Sequence, residues 1–360
     1  MSEKKMITGI ALQGGGALGA YELGALKALY QIRGEDFQPR VVAGISIGAI
    51  NGAILLGAKN DPVGTLEEVW RERFCLQNPI SQVLDMFRPW YPKPTRAFIN
   101  QFEKNLSFYG NPGMYRFNSQ AFCSPFTCTS IYDTRFLEKT FQDFIDLKKL
   151  NQPDTSRLIV TAINVRTGDQ QLFDNGSMAL DFRHIMASGS FPVTFPMTEI
   201  DGEIYWDGGI FINTPAAPAI NALEMIDSDN PDVERELIYI EVHRRAGEIP
   251  CNLRESLEKC YALIFSGKFS LDGKLAKKLN SLMDFFDEMD RILPEDHPLR
   301  KHEVYKYFKM HRRLNRRITI GQSGRGAIGS SHDFSRSTIE RRIEDGFNDA
   351  MEILTKAESS

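Results

Sequence analysis

Long apolar runs are missing from this chain of 360 residues. No stretch of about 18 uninterrupted apolar residues occurs, so no membrane-spanning helix is expected. Cysteine is scarce: Cys75, Cys123, Cys128, Cys251 and Cys260 are scattered and odd in number. That argues against a disulfide framework and fits a reducing compartment. Cys123 and Cys128 lack a matching Cys/His pair, so no zinc site is expected. An excess of charge is missing too. Lys and Arg number 43 against 47 Asp and Glu, a formal net charge of −4, so nothing global attracts nucleic acid. Internal repeats and low-complexity tracts are absent. Lys4-Lys5 followed by Met6 to Ala20 imitates a signal peptide, but Gln13 and a glycine run break the apolar stretch, so no cleaved leader is expected. The length suffices for two domains or one large elaborated one.

What is present begins with Ser46, in Gly44-Ile45-Ser46-Ile47-Gly48. The segment Arg40-Val41-Val42-Ala43 before it is β-branched and reads as a buried strand. Ala49 to Leu56 after it is apolar and small, a helix start. A serine on a tight strand-to-helix turn has strained backbone geometry, and Gly44 and Gly48 leave the room it needs. The turn lifts Oγ clear of the sheet beside the positive end of a helix dipole. A bare G-x-S-x-G recurs by chance; the strand-turn-helix context gives it weight and suggests a serine hydrolase.

Residues 6–12 read as a first buried strand, 17–31 as a helix, 40–45 as a second strand and 47–58 as a second helix. This β-α-β-α start implies a largely parallel sheet with helices on its faces. From about 60 to 155 prolines interrupt regular elements, and eleven of the forty residues 87–126 are aromatic, among them Phe87, Trp90, Phe98, Phe102 and Phe108. This stretch reads as an insertion, either lining a substrate groove or lid or forming a small core of its own. Core strands resume at 157–165 and 170–173, a short helix at 183–188, a strand at 203–206 and another at 237–242. Beyond 250 the pattern turns helical. Leu271, Leu275, Leu279, Leu282, Phe286, Met289 and Leu293 keep helical spacing, and Ser337-x-x-Glu340 reads as a capping box before Ile339, Ile343, Phe347, Met351 and Leu354.

A serine nucleophile needs a base and oxyanion donors. Among the histidines, only His243 follows a core strand in an obvious loop, ahead of Arg244-Arg245, and a structural role suits it better. Asp207 ends a strand, with Gly208-Gly209 permitting a sharp turn, at the carboxyl edge where open α/β sheets place ligands. The same tripeptide also reads as an ordinary turn. Gly14, Gly15 and Gly16 can aim consecutive N–H groups at one point, an anion-binding nest. Gly14-x-Gly16-x-x-Gly19 also satisfies a dinucleotide fingerprint. That fingerprint wants its acid at the end of the second strand. Here Glu35 and Asp36 precede that strand, and Gly44-Ile45-Ser46 ends it.

Taken in order, Gly14-Gly15-Gly16-Ala17-Leu18-Gly19, Gly44-Ile45-Ser46-Ile47-Gly48 and Asp207-Gly208-Gly209 resemble the patatin-like phospholipase family. Ala187-Ser188-Gly189-Ser190-Phe191-Pro192, with Phe195-Pro196, resembles the segment this family carries shortly before its aspartate. The likeness spans roughly 6–220. It implies a three-layer α/β fold with a mostly parallel central sheet and helices on both faces. Residues 6–220 would form the acyl hydrolase domain, with 60–155 as insertion or lid. A mainly helical region, 221–360, would complete the core. It further implies a Ser–Asp dyad with neither metal nor cofactor: Ser46 the nucleophile, Asp207 its base, and the backbone of Gly14, Gly15, Gly16 and Ala17 the oxyanion hole. Leu18 departs from the pattern, because many members carry Arg or Lys there, which leaves headgroup preference open.

A carboxylate base suffices for ester alkoxides, which leave more easily than amines, so lipid esters are the expected substrates. Acyl transfer to an alcohol, a dinucleotide-binding module and an idle lipid-binding scaffold are the rival readings. Residues 299–317 carry Arg300, Lys301, Lys306, Lys309, Arg312, Arg313, Arg316 and Arg317 against the single acid Glu303. They suit peripheral contact with an anionic membrane, although a solvated basic helix explains them better. A cytoplasmic or peripheral membrane location is expected, with export by a signal-less route left open.

Overall fold

The computed structural model describes residues 5–34, 36–76, 90–111, 113–124, 126–152, 156–211, 215–228, 230, 232–243, 249–310, 314–321 and 330–359. Phe87, Arg244, Arg245, Arg312 and Arg313 lie outside them, as do the side chains of Leu271, Leu275, Leu279 and Lys309.

An eight-stranded sheet forms the middle layer. β1 (Lys5–Leu12) pairs in parallel with β2 (Val41–Ile45) on one side and β10 (Val233–Glu241) on the other. β2 continues in parallel to β6 (Arg157–Asn164), and β10 to β11 (Arg316–Gly321). β7 (Gln170–Asp174), β8 (Thr198–Ile200) and β9 (Glu203–Asp207) are antiparallel additions at the β6 side. A separate small antiparallel sheet joins β3 (Gly110–Asn111), β4 (Tyr115–Phe117) and β5 (Tyr132–Asp133).

The period of two along each strand splits the core into two layers. Ile10 and Leu12 of β1, Val42 of β2 and Ile238 and Ile240 of β10 join the larger cluster, with α1 (Gly19–Arg33), α2 (Ile47–Gly57) and α10 (Arg336–Glu358). Ile7 and Ala11, Val41 and Ala43, and Leu237 and Tyr239 face the other way, onto Ala216, Ala219, Ala222 and Leu223 of α7 (Ala216–Met225). Helices therefore cover both faces of a mostly parallel sheet.

The stretch 60–155 is not a detached insertion at its ends. Leu66 of α3 (Pro62–Glu68) and Val69, Trp70 and Phe74 of the π-helical turn after it are buried in the main core. Leu137 and Phe141 of α5 (Arg135–Phe144) join the same cluster. The middle, including α4 (Lys93–Leu106) and the small sheet, is more exposed. A polar core anchors these parts. Asn51 of α2 donates to Glu22 at 2.8 Å and to the Gly19 carbonyl at 3.1 Å, and accepts from Trp70 Nε1 at 2.9 Å. Burial pushes the Glu22 carboxyl up to about 8 against the bonds from Asn51 and the Gln13 backbone, so it is largely protonated at neutral pH.

Within the mainly helical C-terminal region two details differ from the sequence reading. Arg316–Gly321 is a strand at the edge of the main sheet, where the sequence reading marks no strand. Its alternating buried positions are only Ile318 and Ile320, too short a signal to stand out between helical patterns. The last helix starts at Arg336 with Ser335 as its N-cap, and Ser337 is already inside it. Asp333 organises that entry, accepting from the Ser335 N–H and hydroxyl and from Thr338. Between these elements lie α8 (Leu253–Ile292) and α9 (Glu303–Met310). Among the described residues no helix is long and apolar enough to cross a membrane.

Candidate active site

Strand register brings Ser46 and Asp207 together. β2 runs along one edge of β6 until Ile45 pairs with Thr161. Along the same edge β9 then takes over, running the opposite way, with Asp207 paired to Ala162. The residue that follows Ile45 and the last residue of β9 thus meet end to end, although 161 positions separate them in sequence.

Ser46 sits at φ 54° and ψ −124°, in the half of backbone space that favours glycine, immediately before α2. The turn is possible because its neighbours lack side chains. A Cβ at Gly44 would come within 2.5 Å of the Ala49 nitrogen, and one at Gly48 within 2.5 Å of the Leu12 carbonyl. One helix end holds both key residues. At the end of α6 (Phe182–Gly189), the buried Ser188 Oγ accepts the Ser46 N–H at 2.9 Å. Two residues on, the Ser190 carbonyl accepts the Asp207 N–H at 3.0 Å, and the Ser190 hydroxyl is tied to Met186 and Thr198.

Asp207 is 1% exposed. Burial pushes its carboxyl up to about 7, opposed by the Ser46 side chain and by the Gly209 amide. The Gly209 N–H donates to Oδ1 at 2.7 Å. The Ser46 interaction is looser, since Oδ2 closes no hydrogen bond of normal geometry.

The glycine turn forms the third wall. Gly14, Gly15 and Gly16 line the same cavity as Ser46 and Asp207. The N–H groups of Gly15 and Gly16 have no partner among the described residues. Ala17 needs correcting as an oxyanion donor: its N–H already donates to the Ser331 carbonyl at 2.8 Å. Ser331 approaches so closely that a Cβ at Gly16, where φ is 56°, would lie 2.5 Å from that carbonyl. The same contact occupies the helix N-terminus where a dinucleotide pyrophosphate would bind. His243 is not placed as a base. Its Nε2–H donates to the Gly14 carbonyl at 2.8 Å, and burial pushes its pKa down to about 4, so the ring is neutral at neutral pH.

The cavity measures about 690 Å³. Its walls are mainly aromatic and aliphatic. Tyr115, Tyr132, Phe195 and Phe334 pack ring against ring along one side, and Phe108 and Tyr109 reach it while remaining 57% and 68% exposed. The aromatic-rich stretch of the sequence therefore contributes to the cavity. Ser188 and Ser331 escape the sequence reading as site components. Ser188 lies inside a motif noted above, whereas nothing local marks Ser331, because it acts through the main chain of a distant segment.

A family model for patatin-like phospholipases matches residues 10–220. Neuropathy target esterase sws of Drosophila melanogaster is 24% identical over 234 residues, 62% of this chain and 13% of that protein. The chain thus spans a small part of the curated relative it matches. Two solved structures are also similar. VipD from Legionella pneumophila gives a TM-score of 0.41 at 15% identity, covering 98% of this chain and 67% of that one. ExoU, solved with SpcU from the type III secretion system of Pseudomonas aeruginosa, gives 0.38 at 16%, covering 100% and 53%.

Proposed function

This chain belongs to the patatin-like phospholipase family, and from that premise we propose that it hydrolyses carboxylic esters of lipids through an acyl-serine intermediate, with Ser46 as nucleophile and Asp207 as base. The observation that carries the reading is Asp207 Oδ2: a buried carboxyl oxygen without a settled partner, beside a serine held on a strained turn.

In the first half-reaction Ser46 Oγ bonds to the ester carbonyl carbon while its proton passes to Asp207. The carbonyl oxygen becomes an oxyanion facing the Gly15 and Gly16 amides. The C–O bond to the alcohol then breaks, the electron pair leaves with that oxygen, and Asp207 returns the proton to it. In the second half-reaction water attacks acyl-Ser46, gives its proton to Asp207 and releases the fatty acid, and the proton goes back to Ser46. A base with a pKa near 7 is matched to this work at neutral pH. The apolar cavity suits an acyl chain, and its volume lies within the usual span for ligand pockets, roughly 300–1,000 Å³. Interception of the acyl-enzyme by an alcohol would turn the same steps into acyl transfer, and added glycerol would reveal it as a new ester product.

Among the described residues of 299–317, Arg300 is bonded to Asp290 and nearby carbonyls, Arg316 to Glu236, and Arg317 lies over the Tyr239 ring, while Lys301 and Lys306 are exposed and would meet an anionic membrane in the contact we propose.

A fluorophosphonate probe tests the reading. Wild type should label at Ser46 and hydrolyse a chromogenic medium-chain ester. Ser46→Ala should lose labelling and at least about 10³-fold in turnover. Ser46→Gly should be equally inactive with a melting temperature at or above wild type, because glycine tolerates the positive φ. Activity retained in Ser46→Ala would end the proposal.

A further inference from the structure

Arg342 lies in the C-terminal helix, 122 positions beyond the last residue matched by the family model. It is 4% exposed, and its three hydrogen bonds all go to main-chain carbonyls: Ala17 at 2.9 Å, Ser330 at 2.8 Å and Asp333 at 3.2 Å. Burial pushes its pKa down to about 10, opposed chiefly by the charge of Asp333, so it stays cationic at neutral pH. Among the described residues no carboxylate closes a salt bridge to it. Three carbonyl dipoles hold this buried cation, with the nearby charge of Asp333 as its main offset, and further negative charge developing beside it would be stabilised.

The Ala17 contact points to where that charge develops. Arg342 Nη1–H donates to the Ala17 carbonyl. The N–H of that same peptide, on Leu18, donates to the Gly15 carbonyl at 3.1 Å. The peptide carrying the Gly15 carbonyl ends in the Gly16 N–H, which lines the cavity without a partner. Each link strengthens the next, since a peptide whose oxygen is loaded by a donor becomes a better donor at its nitrogen. His243 does the same one peptide earlier, loading the Gly14 carbonyl whose partner nitrogen is Gly15.

We propose that Arg342 is a positioning residue for the reaction: through the Ala17–Leu18 and Gly15–Gly16 peptides it fixes the glycine turn and polarises the Gly16 N–H toward the oxyanion. The proposal rests on the hydrolase reading above. Arg342 touches neither Ser46 nor substrate in it; its effect travels along two peptide groups.

Arg342→Gln and Arg342→Lys in the full chain test it, with the active fraction of each preparation titrated by fluorophosphonate endpoint. In Arg342→Gln, kcat per titrated site should fall about tenfold or more, below the full loss of an oxyanion donor, with KM within about twofold. The affinity for a trifluoromethyl ketone, whose serine adduct bears an oxyanion, should fall by a similar factor. Binding of a non-reactive long-chain alcohol should not change. Arg342→Lys, which keeps the charge without the planar fork, should recover part of both losses. Unchanged kcat per site, or a loss of kcat with ketone affinity intact, would overturn the inference. Should Arg342→Gln fail to fold, Arg342→Lys decides: an intermediate kcat with matching ketone loss supports the relay, and wild-type values reduce Arg342 to a structural staple. Wild type that fails to label removes the hydrolase reading itself; wild type that labels beside unaffected variants removes the relay alone.

Discussion

An ionised Asp207 occupies a place from which folding has removed water. Its pKa, pushed up to about 7, has consequences for both rate and stability. As the proposed base it must be ionised, so kcat/KM should rise as pH increases through about 7 and level off above. Stability runs the other way. Between the ordinary carboxylate range and pH 7 the folded chain holds a proton that the unfolded chain has released, so stability falls as pH rises through that window and the loss is complete above it. Asp207→Asn removes the penalty. At pH 8 this variant should be inactive yet more stable than wild type, by up to on the order of 4 kcal/mol, with the gap closing toward pH 5. Urea unfolding at the two pH values measures it, and an Asn variant equally or less stable at pH 8 would contradict the assignment. Leu18 belongs at the same scale. The resemblance expects a cation there, whereas Leu18 is a buried apolar residue and the nearby guanidinium, Arg342, arrives from another part of the chain.

Among the elements, α6 matters more than its length suggests, since Ser188 and Ser190 at its end fix the backbones of Ser46 and Asp207. Ser188→Ala would leave the Ser46 N–H without its acceptor, costing about 1–3 kcal/mol, and would free the strained turn to relax. Lower thermal stability together with a fall in kcat larger than the change in KM is expected; a variant equal to wild type in both would show that the turn holds itself. The first two strands, the helices after them and the strand ending in Asp207 are legible in the sequence because each is a long or strongly patterned run with glycine punctuation. The meeting of Ser46 with Asp207 is legible only through resemblance, because it depends on β9 following β2 along one edge of β6, a register no local pattern encodes. The Ala17 amide escapes a sequence reading for a similar reason. It is free or engaged according to where Ser331, over three hundred residues away, is laid down.

At the scale of the whole molecule, the family match ends at residue 220 but the folded unit does not. β10 covers the open edge of β1, and α10 covers α1. The two helices cross with glycine against main chain: a Cβ at Gly24 would strike the Ile343 carbonyl, and one at Gly346 would strike the Tyr21 carbonyl. Their ends are tied as well, with Tyr21 donating to Asp349 at 2.9 Å and Arg33 bridging Glu236 and Glu358. Because α10 also carries Arg342, the proposed relay would make the closeness of this crossing set how well the glycine turn is held. Gly346→Leu should force the helices apart, at a cost of at least about 2 kcal/mol in unfolding free energy from overpacking. The rate of fluorophosphonate labelling at Ser46 should fall with it, although position 346 does not line the cavity. Glu352→Gln, on the exposed face of the same helix, is the matched control and should leave both unchanged. A Gly346→Leu chain with a wild-type denaturation midpoint, or with labelling unaffected while stability falls, would separate the C-terminal helix from the chemistry at Ser46.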